Sequence, residues 1–131
     1  MEIESTLRAV LAAEDRIAAA YLFGSAARGT ASSRSDLDVA VLFETDPPRT
    51  LEGMHDDLRT ALERATGRRV DLVVLNRAPA DLIHHVLRGG QLLLERNRGT
   101  RVRFEVRARN EYFDLLPFLE AYRRRSPSTS R

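Results

Sequence analysis

Two aspartates separated by one residue, Asp36 and Asp38, stand at the head of the run Leu37 to Phe43, whose composition is otherwise that of a strand. Side chains on a strand alternate between faces, so a spacing of two projects both carboxylates from the same side. There they could share one hard divalent cation or a pair of them. Two ionised carboxylates so close together repel unless a cation or a basic neighbour offsets them. Ten residues upstream lies Gly24-Ser25, followed by Arg28 and Gly29. A residue without a Cβ permits a sharp turn there and lets a bulky anion approach the Ser25 amide and hydroxyl. A short helix beginning at Ser25 would aim its free amides at that anion, and Arg28, one turn on, would add a planar cationic fork. The chemistry these types and spacings suggest is a phosphate cradle facing a carboxylate metal site, with Mg²⁺ holding nucleotide phosphates as the natural occupant.

Three strands must position these groups. Ile17 to Phe23 is an almost unbroken apolar run with no Gly or Pro and reads as a buried strand that delivers the chain to Gly24. Asp36 to Phe43 is the second strand. Arg69 to Leu75 is the third by its β-branched content, and Asp71 interrupts it. A carboxylate there is costly to bury unless it faces a cation or partner; otherwise it marks an exposed strand end beside Arg69. Ser5 to Ala13 predicts a first helix. After Asp46-Pro47-Pro48, Thr50 is placed to cap a second whose stripe is Leu51, Met54, Leu58, Leu62 and Ala65, ending at Thr66-Gly67. Asn76 to Pro79 predicts a turn, Pro79 to Leu87 a helix closed by Gly89-Gly90, and Gln91 to Leu94 a last short strand. This order gives an α/β sandwich with a mixed sheet, helices on one side, and the site open at an edge. By period alone, Arg101 to Arg109 is a strand. The histidines read as bystanders: His55, Asp56 and Asp57 diverge around a helix, as do His84 and His85.

With 131 residues the chain is one domain by length, able to bury about two-thirds of its unfolded surface. Without cysteine it has neither disulfides nor thiolate chemistry. The start, Met1-Glu2-Ile3-Glu4, is acidic, and no apolar segment approaches membrane-spanning length, so a cytoplasmic protein without membrane contact is expected. A formal charge of +2, from 21 basic and 19 acidic residues, makes no case for direct nucleic-acid binding. Every basic side chain is arginine, a pattern that codon bias explains more simply than phosphate recognition, so only Arg28 carries weight, by its position. No internal repeat, Walker loop, Rossmann fingerprint or catalytic triad is present.

Gly24-Ser25, ten residues, then Asp36-x-Asp38 resembles the signature of the DNA polymerase beta nucleotidyltransferase superfamily. The chain's small size and its Arg28-Gly29 make it look like a minimal nucleotidyltransferase of the kind encoded beside a HEPN-domain toxin, a resemblance covering most of the chain. It implies an α/β (α+β) nucleotidyltransferase-like fold over residues 1–122, with a C-terminal helical segment from about residue 99; residues 123–131, basic and then Ser-Pro-rich, read by composition as a disordered tail. It implies that Gly24, Ser25 and Arg28 hold the triphosphate of ATP and that Asp36 and Asp38 hold two Mg²⁺ ions. Asp71 would be the third acid, ligating one metal and helping to deprotonate the acceptor. It favours helix over strand for 101–109, with a kink or break at Pro117. The apolar and aromatic density of the stretch Phe104 to Tyr122 reads as both core and partner surface. The implied activity is that of an antitoxin moving AMP from ATP onto a tyrosine of its HEPN ribonuclease partner. Two alternatives stand beside it: transfer to a small-molecule hydroxyl, and neutralisation of the toxin by binding alone.

Overall fold

Ile17–Phe23, strand β1, is buried at all seven positions because it is flanked on both edges and covered on both faces. In the computed structural model, which describes residues 2–27, 35–46 and 52–125, it pairs antiparallel with β2 (Leu37–Phe43) on one edge and with β4 (Gln91–Glu95) on the other. Strand β3 (Val70–Val74) joins β2 in parallel, giving a mixed four-stranded sheet of order β3-β2-β1-β4. The helices are α1 (Glu2–Ala12), the one-turn α2 (Gly24–Ala27), α3 (Glu52–Thr66), α4 (Ala80–Gly89) and α5 (Arg98–Arg125). These boundaries follow the predicted elements closely. Thr50 and Leu51, expected to open α3, lie outside the described residues, as does Gly29, and α1 begins at Glu2 rather than at Ser5.

The helices cover both faces of the sheet, not one. Leu37, Val39, Val41 and Phe43 of β2 join Leu22, Val70, Leu72 and Leu93 beneath Leu7 and Leu11 of α1 and Leu58 and Leu62 of α3. The alternate residues Ala40 and Leu42 join Tyr21 and Phe23 beneath Ile83 and Val86 of α4 and Phe104 and Ala108 of α5. The cause lies in β1 and β2 themselves, which are apolar on both faces and would leave one face wet under a single layer of helices. α4 and the C-terminal helix α5 together provide the second layer.

Over 101–109 the helix wins over the strand period. Phe104 and Ala108, four residues apart, are buried against the sheet, while Val102 and Val106 are 40% and 46% exposed. The alternation is thus two i, i+4 stripes on different sides of a helix. The stripe continues through half-buried Tyr112, Leu115, Leu116 and Leu119. The Asn97 side chain accepts the Thr100 N–H at 3.1 Å and so caps the first turn of α5. α5 passes through Pro117 without the expected break and runs to Arg125, into the stretch expected as tail; 126–131 lie outside the described residues.

Charged groups fasten these layers. Tyr21 Oη donates to Glu105 Oε2 at 2.6 Å, Arg101 donates to the same carboxylate at 2.9 Å, and Arg101 also bridges to Glu95 on β4. Burial, reinforced by the bond to Glu105, pushes the Tyr21 hydroxyl above its ordinary pKa, so it stays protonated as a donor. The hydrogen bonds to Glu105 and Glu95 raise Arg101 in turn. On the far side the Arg96 guanidinium ties the α1–β1 connection, donating to the carbonyls of Glu14 at 2.8 Å and Ile17 at 2.7 Å.

Candidate active site

Gly24 ends β1 in the left-handed region, at φ +72°, a conformation that L side chains rarely adopt. Its missing side chain matters as well. A Cβ built there would stand 2.1 Å from Asp38 Oδ2, so the Asp38 carboxylate lies against the bare Gly24 backbone. The glycine therefore both turns the chain into α2 and makes room for the carboxylate beside it. Ser25 is the second residue of that turn, half-buried at the mouth of the site. Arg28, assigned to the phosphates from the sequence, lies outside the described residues.

Register brings the third acid in. Asp38 pairs with Phe23 on one side and with Asp71 on the other. Laterally paired residues project from the same face of a sheet, and neighbouring strands are about 4.8 Å apart, so Asp71, Asp38 and Phe23 form one row across β3, β2 and β1. Their face is that of α4 and α5, since Leu37 and Val39 point to the opposite core. Asp71 is exposed, and it is the second residue of its strand rather than a strand end. Asp36 is exposed just ahead of β2. Its neighbour Leu37 donates its N–H to Arg69 O at 2.8 Å, which ties the mouths of β2 and β3 together.

The donor set is hard oxygen, which suits Mg²⁺. Among the described residues no three Asp, Glu or His side chains close into a metal-holding cluster. The carboxylates would thus supply part of a shell, as fits an ion that keeps waters and takes phosphate oxygens from its substrate. Asp38 and Asp71, brought side by side by the register, fit such an ion.

Several other contacts that fix the elements around this row have weak signals in the sequence. The exposed His85 ring on α4 meets Phe23 edge-on, centroids 6.1 Å apart and planes at 87°. Its neighbour His84 stacks on Tyr112 of α5 at 3.7 Å with planes within 2°. Consecutive helical side chains diverge by about 100°, which is why one histidine reaches β1 and the other α5. His55, expected on a solvated helix face, is instead half-buried, with its Nε2 2.9 Å from Leu72 O of β3. Asn76 looks in the sequence like a turn residue alone, yet its side chain accepts the Phe43 N–H at 2.9 Å and donates to Phe43 O at 3.1 Å, extending the β2 edge. For Tyr21 a signal did exist: a tyrosine inside a buried strand needs a partner for its hydroxyl.

Residues 5–99 match the family model described as polymerase beta, nucleotidyltransferase, a span that contains Gly24, Ser25 and all three aspartates. The chain belongs to the polymerase beta nucleotidyltransferase family. Comparison with curated proteins found no match. Among solved structures, this nucleotidyltransferase is similar to a toxin–antitoxin with AMP-PNP, 28% identical with a TM-score of 0.73 over 92% of each chain. It is also similar to the MntA–HepT toxin–antitoxin, at 25% identity and a TM-score of 0.68 over 93% of this chain and 91% of that one. A third similar structure is a tri-AMPylated Shewanella oneidensis HEPN toxin in complex with MNT antitoxin, at 25% identity and 0.68 over 93% and 90% of the two chains. No described helix is long and apolar enough to cross a membrane.

Proposed function

We propose that this nucleotidyltransferase is a Mg²⁺- and ATP-dependent, cytoplasmic antitoxin that transfers AMP to a tyrosine hydroxyl of a HEPN-domain ribonuclease toxin. The observation that carries the chemistry is the Asp71–Asp38 row laid against Gly24. A HEPN toxin as acceptor is supported by the AMPylated toxin among the similar structures, and an adenine nucleotide as donor by the toxin–antitoxin with AMP-PNP.

In this reading Gly24, Ser25 and Arg28 hold the triphosphate, with the bare Gly24 backbone letting the chain and the Asp38 carboxylate approach it together. Asp36, Asp38 and Asp71 would hold two Mg²⁺ ions, which supply Lewis-acid stabilisation of the charge that builds on the phosphate oxygens. Asp71, exposed at the outer end of the row, also accepts the phenolic proton of the incoming tyrosine. The tyrosine oxygen bonds to the α-phosphorus as the bond from that phosphorus to the bridging oxygen breaks, and pyrophosphate leaves. Positioning carries much of the rate, because reactants held in line avoid the entropy cost of meeting. The exposed aromatics of α5, with Phe118 at 73% and Tyr122 at 68% exposure, form the surface that docks the toxin.

Incubation of the toxin with ATP, Mg²⁺ and either wild type or Asp36→Asn/Asp38→Asn tests the proposal by intact mass. Wild type should add AMP to the toxin and leave it inactive after the two are separated. The double variant should bind but add nothing, and the released toxin should cut RNA. If the double variant protects cells as fully as wild type and the toxin mass never changes, inhibition is by binding alone and the enzymatic reading fails.

A further inference from the structure

Between α4 and α5, on the same side of the sheet as the carboxylate row, lies a crevice of about 270 Å³ lined by His84, Leu87, Arg88, Glu105, Arg109 and Phe113, among others. Arg88 and Arg109 are exposed, and neither guanidinium has an ion pair or hydrogen bond to a described residue. Glu105, the acid in the lining, is already taken up by Tyr21 and Arg101 at 2.6 and 2.9 Å, so its charge is offset locally and the crevice is left cationic. One wall is aromatic: His84 is backed by the Tyr112 ring stacked on it, and Phe113, 57% exposed, stands at the rim.

We infer that this crevice binds a nucleoside 5′-phosphate at a site separate from the catalytic row. Two unpaired arginine forks suit the non-bridging oxygens of a phosphate mono- or diester, which they can bind bidentately. The His84 and Phe113 rings offer a base the stacking that aromatic and cationic side chains give nucleobases generally. A bare carboxylate would use the cations and leave the rings wet, whereas a nucleotide uses both. The volume admits one nucleotide rather than a strand. Two sources share this chemistry: free AMP, and the adenylyl group already on a modified tyrosine. The second rests on the proposed function; the first does not.

Calorimetric titration of AMP in EDTA into the Asp36→Asn/Asp38→Asn protein reads this site without transfer. Saturable binding is expected, weakened tenfold or more by adding Arg88→Ala/Arg109→Ala. Phe113→Ala should weaken AMP but leave inorganic phosphate unchanged. An adenylylated-tyrosine peptide binding more tightly than AMP identifies the modified toxin as the source, and the reverse identifies the free nucleotide. No saturable AMP binding, or AMP binding indifferent to the arginine pair, overturns the inference. So does phosphate or a glutamate-rich peptide binding as tightly as AMP. Failure here leaves the mass test of transfer untouched, and a failed transfer test leaves the free-AMP arm standing.

Discussion

Gly24→Ala is the change that most directly tests the geometry of the site. The new Cβ would meet Asp38 Oδ2 at 2.1 Å and Asp38 Cγ at 3.1 Å, where ordinary contact begins at 3.4 Å. Either the carboxylate retreats by roughly 1 Å or more, or the backbone abandons φ +72° and carries α2 with it. Holding alanine in the left-handed region costs about 1–2 kcal/mol, which for a domain of this size lowers Tm by roughly 3–10 °C. A misplacement of about 1 Å at a reacting centre can reduce the rate about 100-fold, so transfer should fall by that order while the protein stays folded at 25 °C. Initial rates of AMP addition by intact mass, beside calorimetric melts, measure both. Gly53→Ala is the control. Gly53 is exposed on α3 with nothing within 4 Å of an added Cβ, so alanine should stabilise by about 0.5–1 kcal/mol and leave transfer unchanged. A folded Gly24→Ala protein transferring AMP within about threefold of wild type would refute the placement of Asp38 against Gly24.

Asp71→Asn should reduce transfer by about 100-fold or more without lowering Tm, because the side chain is exposed and one of two neighbouring negative charges is removed; near-normal rates would return Asp71 to a solvated strand position. Tyr21→Phe leaves Glu105 with Arg101 alone and should cost about 1–2 kcal/mol at neutral pH, read by urea melts. Because folding raises the Tyr21 pKa, its contribution is fully present below about pH 10, where the unfolded tyrosine titrates, and is lost as pH rises above that. Wild type should therefore lose stability more steeply than Tyr21→Phe above pH 10, and parallel curves would contradict the assignment. Phe118→Ala, at a ring 73% exposed, should leave Tm nearly unchanged yet weaken the complex with the toxin tenfold or more by calorimetry; unaltered affinity would remove α5 from the interface.

The sequence was most legible where one physical rule dominated. A period of two in Leu37, Val39 and Val41 marked a core face, and the structure buries them together while placing Asp38 on the other side. Gly67 closes α3 at φ +69°, its N–H donating to Glu63 O at 2.8 Å, as the Thr66-Gly67 pair suggested. Less legible was whatever depended on a partner far along the chain. The apolar continuity of β1 called for cover on both faces, but the covering α5 begins 75 residues after β1 ends and shows an alternation that mimics a strand. Tyr21 and Glu105, 84 residues apart, had no local signal to join them. Arg28 is the reverse case: singled out by spacing, it lies outside the described residues.

The meeting of Asp38 with Asp71 depends on register, and register is held at both ends of the β2–β3 pair. At the mouth, Leu37 N–H bonds to Arg69 O at 2.8 Å, and the Glu63 side chain of α3 accepts the Val70 N–H at 3.0 Å. At the far end, the Asn76 amide clasps both the N–H and the carbonyl of Phe43. A slip of one residue would turn Asp71 into the core beneath α3 and bring Val70 and Leu72 out onto the site face. Hydrophobic patterning alone opposes that slip, since Val70 and Leu72 would lose their burial against Leu58 and Leu62. The three fastenings add directional bonds that a slipped strand could not keep. The second acid of the row is therefore positioned by Glu63, Arg69 and Asn76, none of which needs to touch a substrate for its loss to move the chemistry.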